Sequence, residues 1–569
     1  MLGSAGPNGG KPDYAQPGPA RDEHRPPNNQ IAEFPMKRCF PRLIAGLVLA
    51  ESLTPCLWAQ AQVELLKLLP ADGASVDFFS ISLALEGQRA LIGSDHDDDG
   101  GSASGSAYLF EATPDGAWSM VQKLTASDAT PNAQFGHDVA FTPGRCLIGA
   151  WLANAAYIFE RDGAGVWQQV ARLAPPAGSA DQSFGDGLAL DGDRALISSI
   201  ANSLGWVHVF ERDASGNWLE TALIADPSQS TSSGFGTWLS LRGERALISA
   251  TGDSEGGLLA GAAYIFERDG QGAWGQVAKL KASDAHQFDF FGRGVLGPDR
   301  ALVGAQGQNG VDFNTGAAYL FEPDSSGVWQ QVSKLTASDA ANGDYFGVSV
   351  DLDGDRALIG AFGVNDQGVD SGAAYAFRRD PNGNWLETGK LLPSGAADGD
   401  EWGFGAVALA GDLALISGYR NETLGSGSGA AALFDLEPLS AHPAQLSLAA
   451  GGSQALVLDA GYLHAGELVL LLGSASGTLP GIPLVPDFLL PLAYDAYLER
   501  TLVFPNQPPL SNSLATLNAA GRAQATFTLP APALPSLLGL TLQHACVCLD
   551  VTGPALTFVS NPAALEFVP

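Results

Sequence analysis

Cysteine is scarce in this sequence, five in 569 residues, and that scarcity removes one way of holding a fold together. Cys39 and Cys56 lie near the start, Cys146 stands where a repeated motif has Ala, and Cys546 and Cys548 alternate onto one face of the strand-like run HACVCLD. Same-strand neighbours of that kind bridge poorly, and no Cys or His partners stand at zinc spacing. Basic residues are few as well: 29 Lys and Arg against 61 Asp and Glu give a net charge of −32. Such a surface repels nucleic acid and anionic membrane and favours cationic partners or ions. No apolar run reaches the roughly 20 residues of a membrane span. HExxH, GxSxG and CxxC are missing too, and the histidines beyond the expected leader (His96, His137, His208, His286, His442, His464 and His544) are scattered. A paired-carboxylate mechanism stays open only because acids are abundant.

What the sequence does have is a repeat. Residues 346–392 read as four short strands: VSVDL, a Gly354-Asp355 turn, the near-continuously apolar RALIGA, a Gly-rich loop, AAYAFRR, an Asn-Gly turn, and WLETGKL. Phe-Gly recurs at Phe135, Phe184, Phe235, Phe291, Phe346 and Phe404, with a degenerate copy at Phe79-Ser80, at spacings of 49 to 58 residues. QRALIGS, GRCLIGA, DRALISS, ERALISA, DRALVGA, DRALIGA and DLALISG repeat the second strand. A Trp opens the fourth strand in six copies, at Trp118, Trp167, Trp218, Trp274, Trp329 and Trp385. One small sheet cannot bury both faces alone, so each copy needs neighbours like itself.

The seventh copy runs out at AALFDL, without a fourth strand, while VELLKLL at 63–69 precedes the first copy and has the fourth-strand pattern. Pairing the two closes a ring and removes an open sheet edge. The expectation is an all-β protein with a seven-bladed β-propeller over 62–436. The repeated FG, GD turn, LIGA and GAAY-x-F resemble the FG-GAP repeat of integrin α-subunit propellers and of many secreted bacterial proteins. That resemblance implies adhesion or ligand binding, with some copies appended to enzymes.

The flanks differ in character. Residues 1–35 are rich in Pro, Gly and Asn and are expected to be disordered or a mis-assigned start. From Met36 a secretory leader is expected over 36–61: Lys37, Arg38 and Arg42, then LIAGLVLA, then Ala59-Gln60-Ala61. Residues 437–569 are Leu-, Ala- and Pro-rich with short alternating runs, which predicts a β-sandwich-like C-terminal domain.

Strand order sorts the loops. Turns between strands one and two and between three and four are short and share one face. The longer connections, two to three and four to one, share the other, and variable loops on a rigid scaffold are where binding sits. One of them, Asp95-His96-Asp97-Asp98-Asp99-Gly100, has the D-x-D-x-D-G spacing that aims Asp95, Asp97 and Asp99 at one hard cation such as Ca²⁺. Ala103 and Ser106 at its ninth and twelfth positions depart from that pattern, and a solvated acidic loop is the competing reading. Asp351, Asp353 and Asp355 lie in a turn too short for the integrin-type calcium loop and read as a hairpin. The one-per-copy Trp residues and the Arg at each second-strand start read as scaffold. Trp151, Trp206, Trp238 and Trp402 escape the repeat rule and are candidates for stacking on a ligand. These features lead to an expected secreted, non-catalytic binding or adhesion scaffold for an extracellular protein or glycan, with calcium as the candidate assisting ion. A secreted hydrolase or lyase using acidic loop residues is the alternative.

Overall fold

The computed structural model describes residues 63–569 apart from 114–116, 311, 443–444, 461–463, 477, 479–480, 486–487, 519–520, 534 and 551–554. The expected extension 1–35 and leader 36–61 lie outside the described residues. Among those that are described, no helix is long and apolar enough to cross a membrane.

Seven small antiparallel sheets follow one another between residues 63 and 435. Sheet one is Leu83–Glu86, Arg89–Ser94, Ser106–Ala112 and Trp118–Leu124, hydrogen-bonded in chain order. Sheets two to six repeat it within residues 135–173, 181–225, 235–280, 293–335 and 350–391. Arg356–Ala361 is buried at every position after Arg356, as a continuous apolar run requires when neighbouring sheets cover both of its faces. Asp353 pairs with Arg356 across Gly354-Asp355, so this turn is the expected two-residue hairpin. Outer strands alternate instead: Trp167–Leu173 buries its two ends and exposes Gln168 and Gln169 unequally between them.

The seventh sheet is completed from the other end of the repeat region. It contains Val407–Ala410, Leu413–Gly418 and Ala430–Asp435, and its fourth strand is Val63–Leu68, antiparallel to Ala430–Asp435. Leu65 and Leu68 are buried in an apolar cluster with Leu433. Innermost strands of successive sheets touch in order, and that of sheet seven touches that of sheet one.

Phe-Gly is the joint between sheets. Phe135 bridges to Gly105 of the preceding sheet, Phe291 to Gly261 and Phe346 to Gly316, while Phe79 bridges back to Gly429 of sheet seven. Gly105 has φ +82°, and a Cβ there would lie 2.0 Å from the Phe135 carbonyl oxygen, so the Gly of GAAY is required by close approach. Each Phe ring then meets the aromatic pair of its own third strand, as Phe346 does with Tyr375 and Phe377 at 5.4 and 6.0 Å. In sheet seven the residue bridging to Gly372 is Trp402, completely buried. The seventh anchor is therefore Trp402-Gly403, not Phe404-Gly405, and Trp402 is corrected from a ligand-stacking candidate to scaffold. The sequence EWGFGA offers two overlapping aromatic-Gly pairs, and only the backbone register chooses between them.

The repeated Arg and Trp meet across sheet junctions. Arg145, Arg194, Arg245 and Arg300 each place their guanidinium 5.1–5.8 Å from the ring of Trp218, Trp274, Trp329 and Trp385, respectively, on the following sheet. Arg145, Arg194 and Arg300 also bond a carboxylate in the first turn of that next sheet, Asp193, Glu244 and Asp355.

After Asp435 the strands regroup. One sheet joins Leu439–His442, Gly452–Asp459, Arg522–Leu529 and Leu510–Ser511. A six-stranded sheet centres on Thr541–Asp550 and Leu468–Ser474. Side chains of both, including Leu456, Phe527, Leu565 and Phe567, share one apolar cluster. Cys546 and Cys548 are free and buried on Thr541–Asp550. A helix, Ala496–Val503, stands in a stretch expected to hold strands only. Asp495 caps it by accepting from the Leu498 N–H.

Candidate functional site

The acidic loop after the second strand of sheet one does not gather Asp95, Asp97 and Asp99. Asp97 and Asp99 converge with Asp72, and Lys123 Nζ sits among them at 2.8, 2.6 and 2.7 Å. Tyr108 donates its hydroxyl to both Asp97 and Asp72. Related sheets build the same arrangement: Tyr319 and Lys334 on Asp284, Tyr375 and Lys390 on Asp339. Burial works against both charges of the last pair, but hydrogen bonds and opposite charges together outweigh it: Lys390 and Tyr375 lower the Asp339 pKa, and Asp339 and Asp366 raise that of Lys390. The carboxylates of sheet one are thus arranged round an ammonium, and the donor set does not fit Ca²⁺ while Lys123 occupies its centre.

Asp95 belongs to a different constellation, built where the long loops meet the innermost strands. The residue after each anchoring aromatic-Gly pair, or after Phe79-Ser80, occupies one equivalent place in all seven sheets: Ile81, His137, Asp186, Thr237, Arg293, Val348 and Phe404. The register is shown by the preceding N–H, which donates to a second-strand carbonyl in Ser80→Gly93, Gly185→Ser198, Gly292→Gly304, Gly347→Gly360 and Gly403→Ser417. The residue before each anchor also varies, and it has positive φ even when it is Phe78, Gln134, Ser183, Phe290, Tyr345 or Glu401. Left-handed backbone at a side-chain-bearing residue costs on the order of 1 kcal/mol. A third variable place follows the second strand, where Asp95, Trp151, Thr251, Phe362 and Tyr419 stand. Constant neighbours therefore hold three rungs of unlike side chains at the inner edge of the sheets.

Contacts join these rungs. Asp95 accepts from His96 Nδ1 at 2.8 Å and His137 Nδ1 at 2.9 Å, and His137 Nε2 faces Asp186 at 3.3 Å. Burial opposes charge on His137, but the bonds to Asp186 and Asp95 prevail and hold its pKa at about 10. That ring is a fixed cation at neutral pH and a poor general base. The hydrogen bond to Asp95 also raises the His96 pKa. Trp151 lies 5.3 Å from His137. In sheets six and seven, Tyr345 stacks on Phe362 at 4.7 Å, Phe362 meets Phe404 at 5.0 Å, and Phe404 meets Tyr419 at 5.6 Å.

A family model described as the FG-GAP repeat matches residues 63–110, 118–159, 274–321, 329–377 and 385–434. The chain carries five FG-GAP repeats. Each match runs from a fourth strand to the third strand of the following sheet, the offset that lets Val63–Leu68 complete sheet seven. No curated protein matches the sequence. Among solved structures, a protein from Lactobacillus plantarum is similar at 14% identity and TM-score 0.39, over 56% of this chain and 86% of that one. A putative 6-phosphogluconolactonase from Bacteroides uniformis aligns at 11% identity and TM-score 0.40, over 55% and 85%. The periplasmic gluconolactonase of Pseudomonas aeruginosa aligns at 12% and 0.38, over 60% and 96%.

The FG-GAP matches skip residues 160–273, and the structure departs from its own rule there. In sheet three the long loop between strands two and three is replaced by a tight turn at Asn202-Ser203, both at positive φ. His208 takes the Tyr position and meets Ser199 Oγ at 2.9 Å and Glu220 at 2.8 Å. The missing loop leaves a cleft of about 300 Å³ lined by Ser183, Asp186, Ser198, Thr231, Ser233 and Thr237 among others. Asp186 and Thr237 are also rung residues, so cleft and inner edge are continuous. Of the remaining tryptophans, Trp238 lies beneath the Arg293 guanidinium at 3.6 Å, and Trp206 pairs with Ser199 and Ala225 inside sheet three. Reading the sequence copy by copy missed the rungs; aligning the residue after each Phe-Gly and each second strand exposes them.

Proposed function

We propose that this protein is an exported, non-catalytic binding scaffold: a seven-bladed β-propeller followed by a β-sandwich-like C-terminal domain, presenting an extracellular protein or glycan ligand with the loop-bearing end of the ring. Cyclic contact of the seven inner strands and the Val63–Leu68 pairing support the propeller. One observation carries the binding function: at the place occupied by Ile81, His137, Asp186, Thr237, Arg293, Val348 and Phe404 the side chain ranges over aliphatic, imidazole, acidic, hydroxyl, basic and aromatic chemistry, while the flanking anchor hardly changes. Packing alone repeats its residues, whereas recognition of one asymmetric ligand needs different ones. Calcium assistance would require displacement of Lys123.

The test is a glycan and protein array probed with the full chain and with a Thr237→Ala, Phe404→Ala variant. The proposal expects a ligand lost by that variant and kept by Arg89→Ala at the opposite end of sheet one. A ligand retained by the rung variant would overturn it. The Asp95–His96 pair favours the alternative of a secreted hydrolase or lyase. Turnover in a broad hydrolase screen, abolished by Asp95→Asn, would replace the binding reading.

A further inference from the structure

Arg293 is out of keeping with its surroundings. In a chain with 61 acidic and 29 basic residues, other enclosed guanidiniums, such as Arg300 and Arg145, are met by carboxylates. Among the described residues none lies within ion-pair reach of Arg293. Arg293 Nη1 donates to the Val348 carbonyl at 2.6 Å. One face of the guanidinium covers the Trp238 ring at 3.6 Å, and the Phe404 ring stands 6.0 Å away. Burial, with nothing to offset it, draws its pKa down to about 9, so it stays charged at neutral pH. The side chain is still partly exposed, and neither Nε nor Nη2 is among the enclosed unpartnered nitrogens. Nε and Nη2 are therefore not sealed off from solvent.

An uncompensated cation costs stability wherever it is held away from water, and it persists when something outside the fold needs it. A planar fork of donors stacked on an indole suits a planar oxyanion bound edge-on. Trp238 is adjacent to Thr237, which lines the hydroxyl-rich cleft of sheets three and four. Donors and acceptors from Ser and Thr suit the hydroxyls of a sugar rather than an apolar side chain.

We propose that Arg293 is the receptor for the carboxylate of an acidic saccharide, with the sugar hydroxyls directed to the Ser/Thr cleft. This rests on the binding reading above and names the ligand chemistry of the same site. Arg293 stacks on Trp238 for recognition, and the fold itself is better off without its charge.

The test uses the full chain, isothermal titration and thermal melting, with sodium glucuronate, glucose, sodium phosphate and triglycine as probes at constant ionic strength. Glucuronate is expected to bind at least tenfold more tightly than glucose, phosphate or triglycine, and to raise the melting temperature. Arg293→Met should lose at least tenfold in glucuronate affinity while melting no lower than the parent, a result that a structural arginine would reverse. Arg293→Lys, which keeps the charge without the fork, should bind glucuronate with intermediate affinity. Glucuronate binding unchanged in Arg293→Met overturns the proposal, as does equal binding of phosphate, or preference for triglycine. If neutral glycans bind and are lost by the Thr237→Ala, Phe404→Ala variant but not by Arg293→Met, the carboxylate inference falls while the binding reading stands. If no bound ligand is weakened by the Thr237→Ala, Phe404→Ala variant, both readings fall.

Discussion

Lys123 Nζ lies 2.7 Å from Asp72 Oδ2, across the junction between the strand that completes sheet seven and sheet one. The same ammonium meets Asp97 and Asp99, so one lysine neutralises carboxylates from two connections.

Removing that lysine should leave three facing carboxylates. Lys123→Met is expected to lower stability by about 3 kcal/mol, the cost of breaking a largely enclosed pair, measured by urea unfolding. It should also create a cation requirement absent from the parent: added Ca²⁺ raises the melting temperature of the variant and leaves the parent unchanged. A parent protein whose melting temperature drops on chelation would show that calcium, not Lys123, serves the cluster.

Trp402 gives a test of register. Trp402→Phe restores the residue found at the other six anchors and should cost less than about 1.5 kcal/mol. Trp402→Ala empties a fully buried site and should cost about 3–5 kcal/mol. Substituting Phe404 instead should spare stability and affect ligand binding, the reverse of what a Phe404-Gly405 anchor demands.

Completion of sheet seven can be weakened at Leu68, which is 2% exposed. Leu68→Ala should cost about 2–5 kcal/mol and loosen sheet seven first, read by faster amide exchange in Ala430–Asp435 than in Ala262–Arg268. Equal exchange in the two strands would mean that Val63–Leu68 contributes no closure.

Acidity should act in two directions. Burial raises Asp138 and Asp435 to about 7 and Asp351 to about 6. Their contribution is fully present below the unfolded value near 4 and is lost as pH rises through 6 and 7. Asp95, Asp284 and Asp339 have lowered values, because hydrogen bonds from His or Lys outweigh the effect of burial. Their contribution is present above about pH 4 and lost as pH falls through the folded values. Melting temperature should therefore peak near pH 4 to 5 and decline toward pH 8, with slopes up to about 1.4 kcal/mol per pH unit for each group. Asp138→Asn should flatten the decline. A profile flat from pH 4 to 8 would contradict these assignments.

The repeat made most of this architecture legible in advance. RALIGA announces a doubly covered strand and Gly354-Asp355 a two-residue turn, since both signals are local. The Arg and Trp of each copy could be assigned to packing because repetition at one position is what packing produces. Other features depend on neighbours distant in sequence. Trp402 and Phe404 differ only in register, and Lys123 meets Asp72 only after sheets seven and one are brought together. Asp95 looked like part of an Asp95, Asp97, Asp99 cation loop because spacing ignores side-chain direction, and the fold turns it toward His137. The Ala496–Val503 helix was obscured by an apolar, Pro-rich context, although Asp495 is a good cap.

The pairing of Val63–Leu68 with Ala430–Asp435 also sets an order of events. Val63–Leu68 leaves the ribosome long before its partner Ala430–Asp435 and docks only when the rest of the repeats has been synthesised. Until then six sheets stack with a gap beside them, and a lone apolar ribbon must avoid every other exposed edge it meets. Assembly of this protein is timed by its slowest-arriving neighbour, and crowded or hurried synthesis should trap chains that have borrowed that ribbon from one another.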